Sequence, residues 1–211
     1  MYFRGKLIEY EYNSYCLNNS KWYQIDHSFE TQIKKEYSTI DIYETELPNY
    51  KSNGRKTYTE NEYNEDLAEM LEAALIHKVG EIPFGGGKGN KIEVCDILTK
   101  NKDLMHIKKS GGSPLLSHLF NQATVSAEAL LDSEFRTKYN TKLQEKGFGS
   151  YIDNDFKSNN YTIVLGIISK GKEPRPNIPF FSKVAIRYAA KTLSNLGYNV
   201  AIRNIHDDES S

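Results

Sequence analysis

Three things are scarce in this sequence of 211 residues: cysteine, net charge and long apolar runs. Only Cys16 and Cys95 are present, too far apart for a redox or zinc pair, so a disulfide scaffold is excluded and both thiols are expected to be reduced. The formal net charge of −1 excludes a generic polyanion binder. No apolar run approaches the ~20 residues of a membrane span, and the start "MYFRGKLIEYEYNSYC" lacks the apolar centre of a signal peptide. These absences read as a cytoplasmic protein with no membrane partner.

Familiar catalytic motifs are missing too. "PFGGGKGNK", Pro83 to Lys91, lacks the spacing and the terminal Lys-Ser/Thr of a phosphate loop and precedes a strand where such a loop precedes a helix. His77, His106 and His118 with Cys95 do not have zinc-ligand spacing, and no Gly-X-Ser-X-Gly turn marks a serine hydrolase.

What is present suits one folded core: 38% hydrophobic and 12% aromatic residues. Charge is uneven along it. Residues 1–80 carry 9 Lys/Arg against 14 Asp/Glu, whereas 170–203 carry Lys170, Lys172, Arg175, Lys183, Arg187, Lys191 and Arg203 against Glu173 alone. That basic end is either a phosphate-facing surface or a solvated helix face.

Periodicity divides the chain into three parts. Residues 1–58 read as a small β-rich element with Trp22 and Tyr23 as anchors, then a helix placing Phe29, Ile33, Tyr37 and Ile40 on one face, then a polar loop. Residues 59–205 form the main domain. Its first helix aligns Tyr63, Leu67, Met70, Leu71, Ala74 and Leu75, with Asn61 or Asn64 as cap. Strands are expected near Ile76–Ile82, in "KIEVCDILT" and in "DLMHIKK". A helix follows from Pro114, capped by Ser113 and broken near Thr124, then a buried strand in "NNYTIVLGIISK", a helix to Gly197 and a last strand. Phe180, Phe181 and Tyr188 read as core, and 206–211 as a disordered tail. The class is α/β with a mixed sheet.

Asp96 on one strand and His106 and Lys108 on the next carry the chemistry. Residues two apart on a strand share a face, and a turn at "NKD" brings Asp96 beside them. A carboxylate, an imidazole and an ammonium at one sheet end suit phosphodiester hydrolysis with Mg or Mn: Asp96 and His106 as metal ligands, Lys108 stabilising phosphate charge, and Glu65 from the preceding helix completing the shell. Gln122 is a weaker candidate for contact with phosphate or metal-bound water. Nucleic-acid contacts are expected from Lys88 and Lys91 in the glycine-rich loop, from Lys109, Ser110 and Gly111 ahead of a helix N-terminus, and from Lys183 and Arg187 on the basic helix.

The order α-β-β-β-α-β, with Asp96 on one strand and "HIK" on the next, resembles the restriction-endonuclease-like PD-(D/E)XK nuclease superfamily over residues 62–170, with His106 where that superfamily carries a carboxylate. The segments "KWYQID", "KIEVCDILT", "LMHIKKSGGSPLLSHLFNQATVSAEALLDSEFR" and "IPFFSKVAIRYAAKTLSNLGYNV" resemble the C-terminal part of a family of uncharacterised, sporadically distributed bacterial proteins, many of them longer. This resemblance implies a restriction-endonuclease-like αβββαβ sandwich, an antiviral or defence nuclease acting on DNA in preference to RNA, and a further N-terminal domain or partner chain. Pairing into a homodimer would let such a nuclease cut both strands. Two other readings stay open: an inactive nuclease-fold module that binds nucleic acid or assembles proteins, and a protein-interaction domain.

Overall fold

A computed structural model describes residues 7–10, 13–18, 20–51, 54, 58–76, 79–84, 91–149 and 151–208. Strands β1 (Leu7–Tyr10), β2 (Asn13–Asn18) and β3 (Lys21–Ile25) form the expected small antiparallel sheet. Its attachment differs from expectation. Trp22 and Tyr23 are 53% and 49% exposed because β3 presents both faces to solvent. Cys16 of β2 is buried instead, against Ile33, Phe180, Phe181 and Val184, while Ser14 donates to buried Glu30 at 2.7 Å.

Helix α1 (His27–Ser38) starts where the Asp26 carboxylate accepts from the amides of Ser28 and Phe29, and buries Ile33 and Tyr37. The two-residue strand β4 (Asp41–Ile42) follows. Helix α2 (Glu60–Met70) is opened by a capping box in which Thr59 and Glu62 satisfy each other's backbone amides, so Thr59, and not Asn61 or Asn64, is the cap. Met70 is exposed.

The expected strand near Ile76–Ile82 is absent among the described residues. In its place β5 (Ala74–Leu75) joins the main sheet, and β6 (Ile82–Pro83) pairs with β7 (Lys91–Ile92) in a separate ribbon. "KIEVCDILT" therefore splits, since only β8 (Ile97–Leu98) reaches the main sheet. The "NKD" turn holds: the chain reverses through Lys102, with the Thr99 amide donating to Asp103, into β9 (Asp103–Lys109).

Helix α3 (Ser113–Ala129) is unbroken at Thr124; its N-cap is Gly112, at φ 107°, a value only glycine adopts without strain, and Ser113 is already helical. Helix α4 (Ser133–Glu145), capped by Asp132, β10 (Thr162–Ser169), α5 (Phe180–Asn195) and β11 (Asn199–His206) complete the fold. Asp207 continues past β11, bridging to Tyr50 and 5% exposed, so residues 206 and 207 are ordered β structure where a tail was expected.

The main sheet is mixed, in the order β4-β11-β10-β9-β8-β5, with β9, β10, β11 and β4 parallel and β8 antiparallel to its neighbours. β10 sits at its centre, and its two faces bury different cores. Leu104, Ile163, Leu165 and Ile167 meet α3 and α5 on one side, while Met105, Ile107, Val164 and Ile168 meet α2 and the segment around Tyr50 on the other. Gly166 is where β10 is pinched: a Cβ there would lie 3.1 Å from Ile107 Cγ1 and 3.2 Å from Ile205 Cδ1. Among the described residues, no helix is long and apolar enough to cross a membrane.

Candidate active site

Strand β9 pairs with β10 along its whole length. On its other flank β8 supplies only Ile97 and Leu98, opposite Met105 and Leu104. Beyond them two amides, those of Ile107 and Lys109, have no strand to bond. Two carboxylates take that place: Asp96 Oδ2 accepts from the Ile107 amide at 2.6 Å, and Glu60 Oε2, from the start of α2, accepts from the Lys109 amide at 2.8 Å. Glu60 Oε1 also accepts from Lys108 Nζ at 2.6 Å, with both side chains part-buried. Asp96, Glu60 and Lys108, from three elements, thus gather on one flank of β9.

The electrostatics there are strained toward protonation. Desolvation lifts the Asp96 carboxyl to about 7; the Glu93 and Glu60 carboxylates push the same way, and the Ile107 amide and the Lys108 ammonium pull it back. Glu60 was not legible as a site residue, although the capping box Thr59-X-X-Glu62 fixed the helix start that carries it.

His106 does not join this group as expected. It shares the face of Leu104 and Leu165 under α3 and α5, is 3% exposed, and its Nε2 has no hydrogen-bond partner. Desolvation lowers its pKa to about 4, so the ring is a neutral core residue. Glu65 is exposed, on the solvent side of α2. Gln122 is likewise exposed, two turns along α3. The expected metal trio of Asp96, His106 and Glu65 is therefore not assembled, and among the described residues no three His, Cys, Asp or Glu side chains converge as a metal group.

A family model described as a family of unknown function, DUF6119, matches residues 6–206. The chain belongs to the DUF6119 family. No curated protein and no solved structure matches it.

The expected nucleic-acid contacts of this DUF6119 chain divide sharply. Ser110 and Gly111 are exposed at the end of β9, where the Ser110 amide donates to the Ile168 carbonyl at 2.8 Å. Lys109 is taken up by Asp207 at 2.9 Å and by the face of Tyr50. Lys183 and Arg187 turn inward to α1, the first over the Tyr37 ring and the second paired with Glu36, which neutralises that one cation of the basic helix. Burial lowers the Lys183 pKa. Lys91 is exposed, 4.0 Å from Glu81. Lys88 lies outside the described residues.

Proposed function

We propose that this protein is a metal-dependent phosphodiesterase that cuts DNA, with a restriction-endonuclease-like core over residues 59–205. The observation that carries this reading is the meeting of Asp96, Glu60 and Lys108 on the open flank of β9. The succession α2, β5, β8, β9, α3, β10 is compatible with the α-β-β-β-α-β order once β6 and β7 are taken as an inserted ribbon and α4 as an additional helix.

The donor set fits a hard divalent cation of the Mg or Mn kind. Mg²⁺ keeps several waters and needs only one or two protein carboxylates, and the carboxyl oxygens of Asp96 and Glu60 are of that type. A cation there would also relieve the crowding of negative charge that lifts Asp96. Asp96 and Glu60 would hold it, and it would supply Lewis acidity and an activated water. His106 is left out. Lys108, released from Glu60, neutralises charge building on a scissile phosphate, and the exposed Ser110–Gly111 turn lets a strand approach. The Ile107 amide fixes the orientation of the Asp96 carboxyl throughout.

The test is nicking of supercoiled plasmid with Mg²⁺ or Mn²⁺ by wild type, Asp96→Asn and Lys108→Ala. Asparagine keeps an oxygen for the Ile107 amide, so the fold is retained while the charge is lost. Both variants are expected to lose at least about a hundredfold in rate with unchanged melting temperature. Nicking by Asp96→Asn at the wild-type rate, or none by wild type with either metal, would defeat the reading. In the latter case the neutral, buried His106 favours a nuclease-fold module that binds DNA without cutting it.

A further inference from the structure

Outside the acidic flank, the structure holds a groove of about 700 Å³ between α3 and α5. Its floor is aromatic, made by the buried rings of Phe120 and Phe181. Its rim carries two exposed rings: Phe29 at 37% and Tyr188 at 61% exposure. The α3 wall is a polar stripe at helical spacing, in which the side chains of Ser117 and Asn121 make no hydrogen bond among the described residues. No charged side chain lines the groove. Around it the balance is positive: α5 carries Lys183, Arg187 and Lys191 with no Asp or Glu, and although Lys183 lies over Tyr37 and Arg187 pairs with Glu36 of α1, Lys191 is exposed, while α3 carries Glu128 as its one acidic residue, a turn beyond Thr124.

Aromatic faces beside neutral donors and acceptors, inside a cationic frame, match a planar uncharged ring on an anionic backbone. Tyr188 is further suited to stacking because the Arg187 guanidinium lies 5.5 Å from its ring centroid. A second copy fits less well, since a two-fold contact through this groove would set the cations of α5 against themselves.

We propose that the groove between α3 and α5 binds an unpaired stretch of DNA, its bases against Tyr188 and the aromatic floor and its phosphates outward. The inference rests on the preceding reading for the class of ligand and not for the chemistry. Its test is fluorescence anisotropy of a labelled oligothymidine and of an abasic oligonucleotide of equal length, in metal-free buffer, with wild type and Tyr188→Ala.

Wild type is expected to bind oligothymidine, Tyr188→Ala to bind it about 5- to 150-fold more weakly, and the abasic strand to bind wild type as poorly. Equal affinity of Tyr188→Ala, equal affinity for the abasic strand, or no binding at all overturns the inference. So does a wild-type dimer, seen by sedimentation, that Tyr188→Ala splits while DNA affinity stays unchanged. Oligothymidine binding that needs Tyr188 in a protein that nicks nothing keeps this inference and removes the catalytic one; nicking with no effect of Tyr188→Ala does the reverse.

Discussion

The two flanks of β9 are held by different means. Toward β10, seven consecutive residues are in parallel register, and the side chains of Ile163, Val164, Leu165, Ile167 and Ile168 are fully buried. Toward β8 the ladder stops after two pairs, and carboxylates of Asp96 and Glu60 finish it. The first flank is made of neutral peptide groups and is insensitive to pH. The second is made of titratable side chains, the proposed cation ligands, so the same amides that complete the sheet orient the candidate chemistry. Stability belongs to one side of a single strand and the proposed reactivity to the other.

Truncation on the ladder flank should cost most. Leu165→Ala, at a position with no exposure, is expected to lose about 2–5 kcal/mol in urea unfolding. A loss below about 1 kcal/mol would mean that β10 is not the rigid side.

On the carboxylate flank, Asp96→Ala leaves the Ile107 amide unmatched and is expected to lose about 1–3 kcal/mol, with Asp96→Asn losing less. The contrast sharpens with pH. Because the folded state raises the Asp96 pKa to about 7, it binds more protons there than the unfolded chain, and this group makes stability fall as pH rises from about 4 to 7. His106, lowered to about 4, acts oppositely: the unfolded chain takes up the proton first, so stability is lost as pH falls from about 6.5 to 4. In wild type the two slopes oppose each other. Asp96→Asn should expose a stability that rises across that window, and His106→Leu one that falls, each by at most about 1.4 kcal/mol per pH unit. Identical pH profiles for all three proteins would show that neither group is held as described.

The smallest effect belongs to the Glu60–Lys108 pair. With side chains 23% and 32% exposed, solvent screens it, and Glu60→Gln should change stability by about 1 kcal/mol or less while strongly lowering any metal affinity measured by calorimetry. A larger stability loss than that of Asp96→Ala would reverse the order proposed for the two carboxylates.

How far the sequence could be read follows the same division. The ladder flank was plain: "DLMHIKK" and the near-continuous apolar run in "NNYTIVLGIISK" both became strands over nearly those limits. The open flank was not, because short strands such as Ile97–Leu98 leave no periodic signal. Alternation placed His106 and Lys108 on one face, as observed, but cannot tell which face two helices will cover. His106 sits under them, while Lys108, two residues nearer the strand end, escapes to Glu60. Glu60 itself acts through a contact between residues 48 apart in sequence, which no local pattern encodes. Tyr188 misled differently: an aromatic on an amphipathic helix reads as core, yet it lies on the seam between two helices and stays exposed.

The far edge of the sheet carries a consequence of another kind. β11 is eight residues long, but β4 covers only Ala201 and Ile202 of it. The remainder is closed piecemeal: Tyr43 donates to the Ile202 carbonyl, the Tyr50 amide to that of His206, and the Asn204 amide to that of Pro174. An open strand of this length and apolarity would recruit another chain and seed aggregation. The irregular segment from Asp41 to Tyr50 therefore acts as a gatekeeper of solubility, and loosening it would show first as oligomers that grow with concentration, well before the centre of the molecule unfolds.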